Sequence, residues 1–156
     1  MAALSLNPNV KTVIYNFLSV VMEQEIEQDD IGVLIALLDE LAYIVRFTEN
    51  HFDEIDYRDP PETDYPAIGK VLEKRFPSLD WYNMVFDISG PEEEAELGMY
   101  SSSMNLMDIV ASMQEIVWRF ENTSDDDAFW YFHWGYMATW GRDLRFLQLY
   151  LHDRWW

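Results

Sequence analysis

The sequence predicts an all-helical fold, one domain folded as a bundle of about five helices, and three observations carry that reading. Four stretches repeat apolar residues at the 3.6-residue period of a helix. The breaks between stretches fall on proline, glycine or clustered polar residues. Of the 156 residues, 49% are hydrophobic and 16% aromatic, enough for a single domain of this length to bury a core against the entropy of ordering the chain.

The first stretch covers residues 8–28. Asn7 before Pro8 reads as a capping residue with proline at the first helical position, and Val10, Val13, Ile14, Phe17, Leu18 and Val21 follow at helical spacing. Asp29 and Asp30 open the second stretch, where acidic groups complement the positive end of the helix dipole. Ile31, Leu34, Ile35, Leu38, Leu41, Ala42 and Val45 form its apolar face. Residues 49–64 carry seven acids, one Arg and two adjacent prolines, a loop by composition. A third, shorter helix over 64–76 turns Ile68, Val71 and Leu72 inward and stops at Pro77. Residues 78–88 fit a short helix and an extended segment equally well. Ser89, Gly90 and Pro91 then lead into a second acidic loop at Glu92, Glu93, Glu94 and Glu96.

The fourth helix, 102–121, has a clean seam of Leu106, Ile109, Val110, Met113, Ile116, Val117 and Phe120, with Glu115 and Arg119 in the favourable i, i+4 order. Asn122 and Thr123 break it. Ser124 caps the fifth helix, with Asp127 three residues on. That helix is expected to run over 125–153, about 40 Å at 1.5 Å per residue. Its first half is apolar nearly all round, which predicts a central helix covered on most sides. Phe129, Phe132, Tyr136 and Trp140 make one stripe, and Trp130, His133, Trp134 and Met137 the next. Gly135 and Gly141, costly inside a helix, are expected to admit a facing ring or a close backbone. The second, fourth and fifth helices are expected to form the core, and any aromatic surface left over, extended by Trp155 and Trp156, to support weak self-association.

Charge bounds function. Ten Lys and Arg face 29 Asp and Glu, a formal net charge of −19, and the excess is spread: 6 basic and 15 acidic residues through Arg75, 4 and 14 after it. Such a surface repels nucleic-acid phosphates and anionic membranes and attracts basic proteins. No apolar run reaches the roughly 20 residues of a membrane span. The chain has no cysteine, so disulfides and thiolate chemistry are excluded, and the expected location is the cytoplasm.

Catalytic motifs are absent: no phosphate-cradling glycine loop, no nucleophile elbow and no His-Glu-x-x-His pattern. Glu93 and Glu96 have the Glu-x-x-Glu spacing of helical nucleotide pyrophosphatases, with no second acidic pair to complete it. His51, Asp53, Glu54 and Asp56 gather an imidazole and three carboxylates within six residues, a spacing that matches no known ligand loop. No metal and no organic cofactor is therefore expected. His133 reads as a packing residue. Between Pro77 and Trp118 there is no Lys or Arg. The reading that follows is a non-enzymatic interaction module whose negative face, made by Asp53, Glu54, Asp56, Glu92, Glu93, Glu94 and Glu96, meets a basic protein. Two alternatives stand beside it: an enzyme of unrecognised type using carboxylates near His51, and a domain whose charge serves solubility alone.

The C-terminal third, from Asn105-Leu106-Met107-Asp108 through Asp126-Asp127-Ala128-Phe129-Trp130-Tyr131-Phe132 to Trp140-Gly141, resembles a bacterial family known as a domain of unknown function, number fifty sixty-three in that series. Lys74-Arg75-Phe76-Pro77 and Asp80-Trp81-Tyr82 are similar to its middle region. The resemblance implies an all-helical bacterial protein and carries over no catalytic residue.

Overall fold

A computed structural model describes residues 9–25 and 29–155 of the chain. Among them, six α-helices and one β-hairpin follow in the order α1 (Val10–Leu18), α2 (Ile31–Ile44), α3 (Tyr65–Arg75), β1 (Trp81–Val85), β2 (Leu97–Ser101), α4 (Ser102–Asn122), α5 (Asp125–Ala138) and α6 (Trp140–Trp155). The fold is all-α, with a two-stranded sheet attached.

Helix starts are set by side chains that accept from backbone N–H groups left free by helix geometry. Asn9 accepts from Thr12 at 3.1 Å, Asp30 from Val33 at 3.2 Å, Asp64 from Ala67 at 3.0 Å and Ser124 from Asp127 at 3.1 Å. The expected Asn7 cap, and the last residues of the first stretch, lie outside the described residues. Within them, α1 ends at Leu18 and a wider π-type turn, Ser19–Glu23, carries the chain to Gln24, short of the length the periodicity suggested.

α4 runs through the middle, packed on α1, α3, α5 and α6, while α6 also packs on α2 and α5. The seam of α4 is buried from Leu106 to Phe120 apart from Val117, which is half-buried. At its C-terminal end Arg119, 7% exposed, donates to Glu115 at 2.8 Å and to Asp127 at 3.0 Å, and its guanidinium lies 3.3 Å over the Tyr131 ring. A buried cation is tolerated because every face of it meets an acceptor or a π cloud.

The single long helix expected over 125–153 is two helices that break at Thr139. Thr139 leaves helical geometry, its N–H and hydroxyl both donating to the Gly135 carbonyl, at 2.8 and 3.0 Å. The two glycines make the corner. A Cβ on Gly141 would lie 2.0 Å from the Tyr136 carbonyl oxygen, and one on Gly135 would press on the Trp140 ring at 2.9 Å. Trp140 is fully buried, and its indole N–H donates to the Phe132 carbonyl at 3.2 Å. Because of this corner α5 is covered on one side: Phe132 is buried, whereas Trp134 and Met137 are 49% and 72% exposed. Trp130 is covered by Phe52 from residues 49–64, and His133 approaches the Thr48 hydroxyl at 3.3 Å.

A candidate docking face at the hairpin

Residues 78–88 resolve the ambiguity of the sequence in favour of an extended segment. β1 pairs antiparallel with β2, Trp81 opposite Ser101 and Val85 opposite Leu97. The ladder is anchored to the helical body by the Ser102 N–H, which donates to the Asp80 carbonyl at 3.2 Å. Tyr82, Met84 and Tyr100 share one face and close on α6: Tyr82 stacks on Tyr150 at 5.0 Å and Tyr100 meets Phe146 edge-on at 5.6 Å. The opposite face holds Trp81, Leu97 and Met99, exposed by 57%, 75% and 57%. Met104, on the first turn of α4, extends this apolar surface.

Beside it, a cleft of about 390 Å³ opens between β2, the start of α4 and the start of α6. Its floor is polar. The Tyr82 hydroxyl donates to Asn105 at 2.6 Å, and the Asn105 amide donates to Asp143 at 2.7 Å. Asn105 is buried and satisfied at both ends. Burial pushes the Asp143 carboxyl up to about 6, and the negative charge of Asp108 adds to the rise. Asp108 is also raised by burial, partly offset by the Tyr65 hydroxyl against it. Arg142 lines the cleft, yet its guanidinium donates to the Phe86 carbonyl and lies over Phe146 at 5.1 Å. Among the described residues neither carboxylate has a salt-bridge partner. Arg142 offsets part of the rise at Asp143 by its charge without pairing with it. Two half-buried carboxylates free of a salt bridge, walled by Trp81, Met99 and Met104, can receive an ammonium or guanidinium whose carbon stem lies on the apolar wall.

The family model described as "Domain of unknown function (DUF5063)" matches residues 9–153. The chain belongs to this family. Family membership therefore spans the helical body and the hairpin alike. No curated protein and no solved structure matches the chain. Among the described residues no helix is long and apolar enough to cross a membrane.

The acidic residues singled out by sequence do not share one face. Asp53 is turned inward, accepting from the Ile55 N–H at 3.1 Å, the Tyr57 hydroxyl at 2.8 Å and the Ser124 hydroxyl. These bonds, that from Ser124 foremost, hold its carboxyl below the usual range. Glu54 and Asp56 are exposed beside it. His51 pairs with Glu49 at 2.9 Å, away from Asp53's partners. Arg58 fastens the same segment to Asn122 at 2.8 Å. Glu92, Glu93 and Glu94 form an exposed 3-10 turn in the hairpin connection, with Glu96 exposed after it. The first acidic segment is thus tied to the C-terminal end of α4, at Asn122 and Ser124, and the second leads through β2 into its N-terminal end; the 21 residues of the helix span about 31 Å. Asp108 belongs to the stretch between Pro77 and Trp118 that holds no Lys or Arg, whereas Asp143 lies outside it, and nothing in the sequence pairs the two. Their signal was a polar pair, Asn105 and Asp108, at i, i+3 on a helix otherwise read for its apolar seam.

Proposed function

We propose that this chain is a non-enzymatic protein-interaction module of the bacterial cytoplasm that binds a basic partner through the hairpin end of the molecule. The observation that carries the reading is the outer hairpin face, where Trp81, Leu97 and Met99 stand in solvent next to Asp108 and Asp143. Large apolar side chains grouped on one exposed face mark an interaction surface rather than random surface composition. The net charge of −19 and the absence of Lys and Arg between Pro77 and Trp118 select a cationic partner and favour fast, salt-sensitive association. A cysteine-free chain suits a reducing compartment. Glu92, Glu93 and Glu94 supply steering charge; Asp53 serves the fold.

A synthetic peptide alternating lysine and valine, followed by tryptophan fluorescence in stopped flow, tests this. Reversal of Glu92, Glu93 and Glu94 to Lys is expected to slow association and flatten its salt dependence. Trp81→Ala with Leu97→Ala is expected to speed dissociation. Unchanged rates in both variants would overturn the reading.

A further inference from the structure

The hairpin has an open edge with a groove along it. In the antiparallel ladder, Phe86 donates to Glu96 and Ser102 to Asp80, so the residue pairs 82/100 and 84/98 exchange the hydrogen bonds between them. Trp81, Asn83 and Val85 consequently turn their backbone groups away from β2. The Trp81 N–H is taken by its neighbour's carboxylate, Asp80, at 2.7 Å. Among the described residues the Asn83 and Val85 N–H groups have no partner. All five residues of β1 line a groove of about 650 Å³ whose far wall is Phe146, Leu149 and Tyr150 of α6. Leu149, 65% exposed, lies on that wall uncovered.

We propose that this edge takes an extended, basic segment of a partner protein as a third strand, seated in the groove between β1 and α6. The proposal rests on the interaction-module reading and adds how the partner is held. An open strand edge offers donors and acceptors at the spacing of another extended backbone, which a helix cannot use. Side chains of the added strand alternate, one set falling on Leu149 and Tyr150, the other continuing the face of Trp81 and Val85. Charge complementarity selects the occupant. Asp80, Asp87 and Asp153 are exposed around the groove, and its cation, Arg154, lies over the Trp155 ring at 5.4 Å. A second copy of this chain, itself at −19, is repelled where a lysine-bearing strand is drawn in.

The test uses the whole chain and the lysine–valine peptide, in plain form and with alternate backbone nitrogens methylated. Asn83→Pro removes an outward N–H while leaving the ladder to β2 intact, as proline does on an edge strand; Asn83→Ala keeps that N–H. The expected result is binding by wild type and Asn83→Ala, weakened about tenfold or more in Asn83→Pro at an unchanged thermal midpoint, and lost with the methylated peptide. In wild type, hydrogen exchange at the Asn83 and Val85 amides is expected to slow when the plain peptide is added, a readout that stands even if the proline variant misfolds. Exchange at those amides unaltered by bound peptide would overturn strand addition. If Trp81→Ala still abolished binding in that case, the interaction-module reading would survive while the strand mode fell. No binding of the plain peptide by wild type would overturn both.

Discussion

The two ends of α4 handle buried charge in opposite ways. At the C-terminal end Arg119 is enclosed by Glu115, Asp127 and the Tyr131 ring, and Thr123 donates to Asp127 at 2.8 Å as well. At the N-terminal end Asp108 and Asp143 are half-buried with hydrogen bonds but, among the described residues, no salt-bridge partner, beside apolar side chains left in water. A complete ion network specifies and closes a structure. An incomplete one, next to exposed Trp and Met, describes half of an interface. The first end is therefore expected to answer to mutation in stability, the second in binding.

The largest effect is expected at the closed end. Arg119→Ala leaves Asp127 buried without its partner and is predicted to cost about 3–5 kcal/mol in urea unfolding. Trp140→Ala empties the space between Phe132 and Gly135, with a similar expected loss of about 3–5 kcal/mol. A loss below about 1 kcal/mol for either would mean that these groups are not enclosed as described.

Asp143 and Asp53 are predicted to move stability with pH in opposite directions. The folded Asp143 carboxyl titrates at about 6, above its ordinary value. Its contribution is thus fully present below that ordinary value, near pH 4, and is lost as pH rises through about 6. Asp143→Asn should raise the unfolding midpoint at pH 7 and flatten the slope between about pH 4 and 6. Asp53 is depressed by its hydrogen bonds, so its contribution is present above the ordinary carboxylate range and fades as pH falls through its lowered value. Asp53→Asn should cost stability at pH 7 and little in strong acid. Midpoints measured across pH for both variants check the signs; equal signs would contradict the contrast between the two ends.

The smallest stability change is expected at the exposed indole of the hairpin. Trp81→Ala should alter unfolding by no more than about 0.5 kcal/mol, while peptide binding weakens. A large loss of stability would place Trp81 in the core and close the proposed docking face.

Much of the body was legible because its signals are local. The helix starts at Asp30 and Asp64, the cap at Ser124, the Glu115–Arg119 pair and the stop at Pro77 each depend on neighbours within a few residues. The corner at Thr139 was not, since helical periodicity continues through it; Gly135 and Gly141 carried the clue, as close-approach positions, without saying that the chain would turn. The hairpin was obscured because both faces of β1 carry large apolar side chains, Tyr82 and Met84 towards α6 and Trp81 and Val85 on the opposite face with Asn83, so alternation had little contrast to show. The candidate cleft was hidden for a related reason: Asp108 and Asp143 are 35 positions apart in sequence, and their meeting is a product of the packing of α4 on α6.

A basic partner is expected to bind at the hairpin end and nowhere else on the acidic surface. Amide chemical shifts of the wild-type protein, followed while the lysine–valine peptide is added, address this residue by residue. Shifts are expected only in β1, β2, the first turns of α4 and the adjoining face of α6, with the amides of residues 49–64 unmoved. Shifts centred on residues 49–64, or spread evenly over the acidic surface, would rule out the hairpin end as the binding site.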